Sequence, residues 1–97
     1  MTAPRFHWDS SKARRNLAKH GVSFEEAVSV FSDEFGLYIA DPEHSRADEL
    51  RFVLLGLSRN VRLLLVVHCV RESEDDVRIV MARKPTRKEA AQYHERR

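Results

Sequence analysis

The chain has 97 residues, which is the length of one domain and leaves no room for a second hydrophobic core. Hydrophobic residues make up 42% and charged residues 33% of the sequence, and the longest apolar run, Leu63 to Val67, is too short to span a bilayer. The amino end has no apolar signal core, and the lone Cys69 cannot form an intramolecular disulfide. We therefore expect a soluble, cytoplasmic protein with no membrane partner.

The net charge of +2 hides an uneven distribution. Residues 1–21 and residues 81–97 each carry a net charge of +4, whereas residues 22–60 carry −5. If the two basic ends meet in space, they form one cationic face that attracts an anionic polymer such as nucleic acid. The alternative is that these charges lie on solvated helix faces that bind no partner.

The amino-terminal part of the chain predicts a short strand and two helices. Phe6 to Trp8 is an aromatic strand, and Asp9 after it is suited to cap a helix that runs to about Lys19. Gly21 then predicts a left-handed helix stop. A capping box at residues 23–26 opens the second helix, whose apolar stripe consists of Phe24, Ala27, Val28 and Phe31.

The remainder is mainly extended, with a polar loop over residues 42–48 that holds His44 and Arg46. Short polar connections between the last three strands favour antiparallel hairpins. A second capping box, Thr86 with Glu89, opens a final helix that contains Tyr93. The predicted strands are Gly36 to Ala40, Arg51 to Leu57, Arg62 to Val70, and Val77 to Arg83.

The predicted order is β-α-α-β-β-β-β-α, which gives an α+β fold. We expect an antiparallel sheet covered on one face by helices, two from the amino-terminal part and one from the carboxyl end. Neither side of the strand over residues 62–70 is wholly polar, so it is predicted to be central. Alternation in the last strand places Arg78 and Arg83 on opposite faces unless a bulge intervenes.

Several kinds of catalytic site are disfavoured by the sequence. The five histidines are scattered without the spacing of metal ligands, so we expect no metal site and no cofactor. Cys69 lies among leucines and valines, where a thiol is usually inert. The three glycines are too far apart to form a phosphate-binding loop.

What remains is a set of cations on strands and strand ends, accompanied by Glu49 and Glu72. RNA carries its own nucleophile, the 2′-hydroxyl, so a ribonuclease needs a base, cations for the phosphate and an acid. Histidine titrates near neutral pH, and the planar fork of arginine matches two phosphate oxygens. The candidates are Arg51, His68, Arg71, Arg83 and Lys84.

Each candidate also has a structural interpretation. His68 is then a hydrogen-bonded residue of the sheet, and Tyr93 packs the last helix. Arg51 and Arg78 then pair with Glu49, Glu72 or Asp76 across hairpins, and Lys12 and Lys19 are plain solvated lysines.

The sequence resembles the BrnT toxin family over nearly its whole length. The first half carries Phe6-x-Trp8-Asp9-x-x-Lys12-x-x-x-Asn16-x-x-Lys19-His20-Gly21-Val22-Ser23-Phe24-Glu25-Glu26-Ala27 and Val30-Phe31-x-Asp33. The second half carries Asp41, His44-Ser45, Glu49-x-Arg51, Gly56, Leu64 to His68, Arg71, Arg78-Ile79-x-x-Ala82-Arg83-Lys84, and Thr86, Glu89 and Tyr93.

The resemblance implies a RelE-like fold and a ribonuclease toxin that cuts RNA without a metal and so arrests translation. It implies a BrnA-like antitoxin with a ribbon-helix-helix domain, through which the complex binds operator DNA. By analogy, Arg51, Arg71, Arg83 and Lys84 contact RNA phosphate, and His68 or Tyr93 assists proton transfer. Lys12, Lys19 and Arg87 are further RNA-binding candidates.

The chain departs from the family pattern at two positions. Val70 stands where many members carry a glutamate before Arg71, and Met81 stands where a serine usually precedes Ala82. These departures keep a second hypothesis open, in which the chain is a catalytically weak antitoxin-binding module that acts as a co-repressor. A third is that the basic ends bind an acidic tail of the antitoxin.

Overall fold

A computed structural model describes residues 4–71 and 75–96, with the side chain of Arg96 left out. Three helices and two short 3-10 turns accompany five strands. Within this part of the chain, no helix combines the length and the apolar character needed to cross a membrane. The strands are β1 (Arg5–His7), β2 (Leu37–Ala40), β3 (Glu49–Leu57), β4 (Leu63–Arg71) and β5 (Asp76–Arg83); the helices are α1 (Ser10–His20), α2 (Phe24–Ser29) and α3 (Arg87–Arg96); the 3-10 turns are Val30–Ser32 and Pro42–His44.

The helix ends follow the signals in the sequence. The Asp9 carboxylate accepts a hydrogen bond from the Lys12 amide at 3.0 Å, and Gly21 ends α1 in the left-handed region with φ of 69°. The Ser23 hydroxyl caps α2. Thr86 and Glu89 cap α3 reciprocally, each side chain accepting from the other's backbone amide. The predicted helix starts and the stop at Gly21 are confirmed, but α2 ends at Ser29 and Phe31 of its predicted stripe lies in the 3-10 turn that follows.

The five strands form one sheet in the order β1-β5-β4-β3-β2. β2, β3, β4 and β5 pair antiparallel, as predicted, although residues 72–74 of the β4–β5 connection lie outside the described part. β1 pairs parallel to β5, with Phe6 opposite Val77. The α+β class and the element order are therefore confirmed, but the sheet is mixed. No hairpin joins β1 to β5, so no turn imposes an antiparallel direction.

Helices cover both faces of the sheet, and the expectation of one covered face was wrong. Leu54, Leu64 and Val66 face α2 in the larger core, on what we call the α1–α2 face. Leu55, Leu65 and Val67 pack against Tyr93 of α3, on what we call the α3 face. Strand β4 supplies side chains to both cores, which confirms its central position.

A bulge in β5 changes the side-chain alternation of that strand. Val67 lies opposite Met81, whereas the next residue, His68, lies opposite Ile79. Val80 is thereby the extra residue. Val80 and Met81 both pack beside the Tyr93 core, instead of pointing to opposite faces.

The bulge brings Arg78 and Arg83 to the same face. Arg78 contacts Cys69 and Glu49 on the α3 face, and Arg83 lies opposite Leu65, which also faces α3. The simple alternation that separated the two arginines does not hold, because one inserted residue shifts every later side chain to the other face.

The outer edge of β5 is completed by a side chain. Strand β1 pairs with β5 only at residues 76–78, so the later backbone groups of β5 lack a neighbouring strand. Asn16 of α1 accepts from the Ala82 amide at 3.1 Å and donates to the Ala82 carbonyl at 2.8 Å. It also donates to the Val22 carbonyl at 2.9 Å. This buried amide thus joins α1 to the sheet.

Replacing Asn16 by Ala should lower the free energy of unfolding by about 2–3 kcal/mol, because the buried Ala82 amide and carbonyl lose their partner. Denaturant unfolding monitored by circular dichroism measures the change. Arg15→Ala, an exposed change in the same helix, should stay within about 0.5 kcal/mol of wild type. Equal losses in the two variants would contradict the assignment.

Glu26 forms the other buried polar link. The residue is 4% exposed, and it accepts from Arg62 Nε at 2.9 Å and from the Ser58 hydroxyl at 2.7 Å. The hydrogen bonds from Arg62 outweigh burial and lower the pKa of Glu26 from 4.5 to about 2. The carboxylate therefore ties α2 to the β3–β4 turn instead of closing the predicted capping box with Ser23.

Because the folded pKa of Glu26 is lowered, its stabilisation is complete above pH 4.5 and disappears as the pH falls toward 2. Glu26→Gln should lose about 2 kcal/mol at pH 7, and its deficit against wild type should shrink over that range. Unfolding measured from pH 7 to pH 2 tests this. Glu25→Gln, at the neighbouring exposed position, should show no such pH-dependent gap.

Candidate active site

A carboxylate with three arginines lies at the end of the α3 face farthest from α3. Glu49 Oε1 accepts from Arg78 Nη2 at 2.8 Å. Arg46 Nη2 lies 3.7 Å from the same oxygen, and Arg71 Nε lies 3.8 Å from Oε2. We call these four residues the Glu49 cluster. The hydrogen bond from Arg78 lowers the pKa of Glu49, so the cluster holds three cations around one anion. The predicted pairing of Arg78 with Glu49 is confirmed; Glu72 lies outside the described residues.

Arg51 lies beside this cluster on β3. It is opposite Cys69 in β4, and its Nε is 3.4 Å from Asp41 Oδ2. That contact is an ion pair without the geometry of a hydrogen bond. Asp41 also contacts His44, whose Nδ1 lies 3.1 and 3.0 Å from the two carboxylate oxygens.

Cys69 is buried between Arg51 and Arg78. Its Sγ accepts from Arg78 Nη2 at 3.8 Å. Burial raises the pKa of the thiol, which keeps the sulfur protonated at neutral pH. The geometry agrees with the expectation that this cysteine is no nucleophile.

Arg83 lies at the other end of the same face. It is opposite Leu65 in β4 whereas Arg51 is opposite Cys69, so the two are four residues apart, roughly 13 Å along the strand. Its guanidinium forms a two-pronged ion pair with Glu89, at 2.9 and 3.1 Å. The bond with Arg83 lowers the pKa of Glu89 to about 2.

An apolar groove runs from Arg83 toward Arg51 and reaches Val53 and Val67, which lie two positions short of Arg51 and Cys69 along the sheet. Its floor is the exposed part of β2–β5, and one wall is α3. Ile39, Val53, Val67, Met81 and Gln92 line it, with Arg83 and Glu89 at its α3 end. Met81 is therefore a groove residue.

His68 lies on the opposite side of the sheet from the arginines. It is 1% exposed on the α1–α2 face, and its ring packs against Phe31 at 4.7 Å and Phe52 at 6.0 Å. Burial lowers the pKa of His68 to about 4, so the ring is neutral at physiological pH. The structure does not bring His68 together with Arg51 or Arg71.

Tyr93 is fully buried beneath α3. Its hydroxyl donates to Asp33 Oδ2 at 2.6 Å, and the same oxygen accepts from the Leu57 amide at 2.8 Å. These contacts fasten α3 to the end of β3. Tyr93 therefore packs the helix, as the structural interpretation expected, and does not line the arginine-rich surface.

The four remaining RNA-binding candidates are all exposed, but they lie on two sides of the sheet. Lys84 follows Arg83 directly, and Arg87 is the first residue of α3, so both lie near the Arg83 end of the α3 face. Lys12 and Lys19 belong to α1, which packs on the α1–α2 face. The basic ends of the chain thus flank β5 from opposite sides and do not merge into one flat surface.

The pairing of Asp41 with His44 was not predicted, since the sequence of residues 42–48 indicates only a polar loop that holds His44 and Arg46. The local signal was available: Asp41-Pro42 opens a turn, and a residue three positions later returns to the same side in a 3-10 turn. Among residues 4–71 and 75–96, no three His, Cys, Asp or Glu side chains gather as a metal-ion site.

The sequence of this small α+β domain matches a known family. A model of that family, described as the ribonuclease toxin BrnT of a type II toxin–antitoxin system, matches residues 8–89. A search of the curated proteins gave no match. Since the family match spans most of the chain, from Trp8 at the end of β1 to Glu89 in α3, the chain belongs to the BrnT family of ribonuclease toxins of type II toxin–antitoxin systems.

Proposed function

We propose that the chain is an endoribonuclease that cleaves RNA on the α3 face, by attack of a 2′-hydroxyl on the adjacent phosphate. The observation that carries this is the gathering of Arg46, Arg51, Arg71 and Arg78 at one end of the α3 face. Attack of the hydroxyl adds negative charge to the phosphate oxygens. Guanidinium groups fixed beside those oxygens stabilise that charge in the transition state.

The reaction needs no metal in this proposal. RNA supplies the nucleophile, and the arginines supply the positive charge that a divalent cation would otherwise provide. Arg71 has 61% of its side chain exposed, so a phosphate can reach it, and Arg51 lies diagonally across from it on β3. We assign the scissile phosphate to these two residues.

The second cationic group would hold a flanking part of the RNA. Arg83, Lys84 and Arg87 lie roughly 13 Å from Arg51 along the strand, too far to share one phosphate with it. Lys12 and Lys19, on the other side of the sheet, would act through long-range attraction alone. We assign no proton transfer to His68 or Tyr93, because packed cores enclose both.

A type II toxin has a protein antitoxin, and we propose a BrnA-like ribbon-helix-helix protein that covers the α3 face in the cytoplasm. The groove supports this, since it exposes apolar side chains, among them the 40%-exposed Ile39, between two cationic ends. Through such a partner, the complex would bind operator DNA.

Inducing the chain alone should stop growth and protein synthesis, and Arg51→Ala should abolish both effects. Loss of one fixed cation at the phosphate should lower RNA cleavage by about 100-fold. Primer extension on RNA after induction measures this at matched protein levels. Arg83→Ala should weaken cleavage less, because its cation lies at the distant end of the groove.

The matched control is Arg59→Ala, which removes the same charge at an exposed site beyond the other end of β3. It should remain as toxic as wild type. Undiminished cleavage by Arg51→Ala would refute the site. A wild-type chain that leaves RNA intact, yet tightens operator binding by its antitoxin, would support a co-repressor instead.

Glu49→Gln should bind uncleavable RNA several-fold more tightly than wild type. Removing the anion leaves three arginines without their shared counter-charge, so more counterions are released on binding and the salt dependence becomes steeper. Fluorescence anisotropy with a 2′-O-methyl oligonucleotide at two salt concentrations measures both. Glu34→Gln, an equal charge change at an exposed position away from the cluster, should leave affinity nearly unchanged. Weaker binding by Glu49→Gln would show that the carboxylate is needed to position the arginines.

A further inference from the structure

We propose that His44, oriented by Asp41, takes the proton from the attacking 2′-hydroxyl of RNA beside Arg51. The inference rests on the proposed function and adds the base that the sequence did not reveal. In the step, the O2′–phosphorus bond forms and the phosphorus–O5′ bond breaks. The imidazole accepts the 2′-hydroxyl proton, water protonates the leaving 5′-oxygen, and the products are a 2′,3′-cyclic phosphate and a 5′-hydroxyl.

The contact between the two side chains fixes the protonation of the ring. His44 Nδ1 lies 3.1 and 3.0 Å from the two oxygens of Asp41. An ionised carboxylate only accepts hydrogen bonds, so Nδ1 must carry the hydrogen, and in the neutral ring Nε2 is the lone-pair nitrogen. With 60% of the side chain exposed, that nitrogen is accessible to a substrate. A base oriented by a carboxylate in this way recurs in nucleophilic catalysis.

The short turn that carries this pair is fastened to β3 at Arg51. The Asp41 amide donates to the Arg51 carbonyl at 2.9 Å. The Ser45 hydroxyl donates to the Asp41 carbonyl and accepts from the Arg51 amide, both at 2.8 Å. These bonds hold base and cation at a constant separation, which is what a reaction at one phosphate requires.

Asp41 also links the base to the cation electrostatically. Its Oδ2 lies 3.0 Å from His44 Nδ1 and 3.4 Å from Arg51 Nε. When His44 becomes an imidazolium, the carboxylate stabilises it, while Arg51 faces the phosphate that gains charge. Proton transfer and charge stabilisation are thereby placed side by side on the α3 face.

One other histidine of this face has an aspartate partner. His7 of β1 contacts Asp76 through Nε2, and Arg71 Nε lies 3.8 Å from the second oxygen of Asp76. However, β1 lies three strands from β3, roughly 14 Å from Arg51. His7 contacts Asp76 through Nε2, the ring nitrogen farther from the backbone. Its remaining nitrogen, Nδ1, lies nearer the backbone and is less accessible to a substrate. His7 is therefore the matched comparison for His44.

The test measures cleavage of a defined messenger RNA, free and during translation in a reconstituted system. His44→Ala should lower kcat by at least about 100-fold, with unchanged binding of a 2′-O-methyl RNA. Added imidazole should restore part of its activity. Asp41→Asn, which changes a positioning residue, should lower kcat more than it changes KM. His7→Ala should cleave within a few fold of wild type.

The outcomes separate this inference from the proposed function. If wild type cleaves and His44→Ala cleaves equally, the base is wrong while the ribonuclease proposal stands. A His7→Ala loss as large as that of His44→Ala, or no rescue by imidazole, would likewise overturn the assignment. If the folded wild type cleaves neither free nor translated RNA, the proposed function fails and this inference fails with it.

Discussion

The extra residue at Val80 reverses the side-chain alternation over the last residues of β5, and both faces of the sheet depend on this. Ala82 turns into the α1–α2 core, where it is fully buried. The backbone amide and carbonyl of Ala82 form hydrogen bonds with the side chain of Asn16. Arg83 moves to the α3 face, where it meets Glu89 at the start of α3. Without the bulge, the side chain of Arg83 would point into the apolar core. Burying an unpaired charge there would strongly destabilise the fold. One inserted residue thus sets the position of α1, the first turn of α3 and the location of the second cationic group.

The carboxylates on the α3 face differ in how firmly they hold their arginines, and this difference ranks the cations as phosphate ligands. The Arg83–Glu89 pair is bidentate, and Glu89 also caps α3, so a phosphate must displace a contact that stabilises the helix. Arg71 instead makes two contacts of 3.8 Å at the surface. Exposed pairs of that kind stabilise by only about 0–1 kcal/mol, so the two charged oxygens of an RNA phosphodiester compete with them easily. The Glu49 end of the groove is therefore the better place for chemistry, and the Arg83 end is better suited to hold RNA.

The accuracy of the sequence predictions depended on how local each signal was. Helix caps and stops act within four residues of the chain. The caps at Asp9, Ser23 and Thr86 therefore predicted the starts of all three helices, and Gly21 predicted the end of α1. The parallel pairing of β1 and the bulge in β5 depend on contacts between distant segments, which no local pattern specifies. Alternation within β4 places His68 and Arg71 on opposite faces. Which of the two faces is buried depends on where the helices pack, and that arrangement involves distant segments of the chain.

Family membership identifies the chemistry, and the two faces of the sheet decide which residues are available for it. The α1–α2 face is closed by two helices, whereas α3 leaves the Glu49 end of its face open. An inhibitor therefore does not need to reach a buried site. A protein segment lying in the groove between Val53 and Met81 would pass between the two cationic ends and keep RNA from bridging them. Because the groove floor is apolar and its ends are charged, such a segment would combine hydrophobic side chains along its middle with acidic groups at its ends.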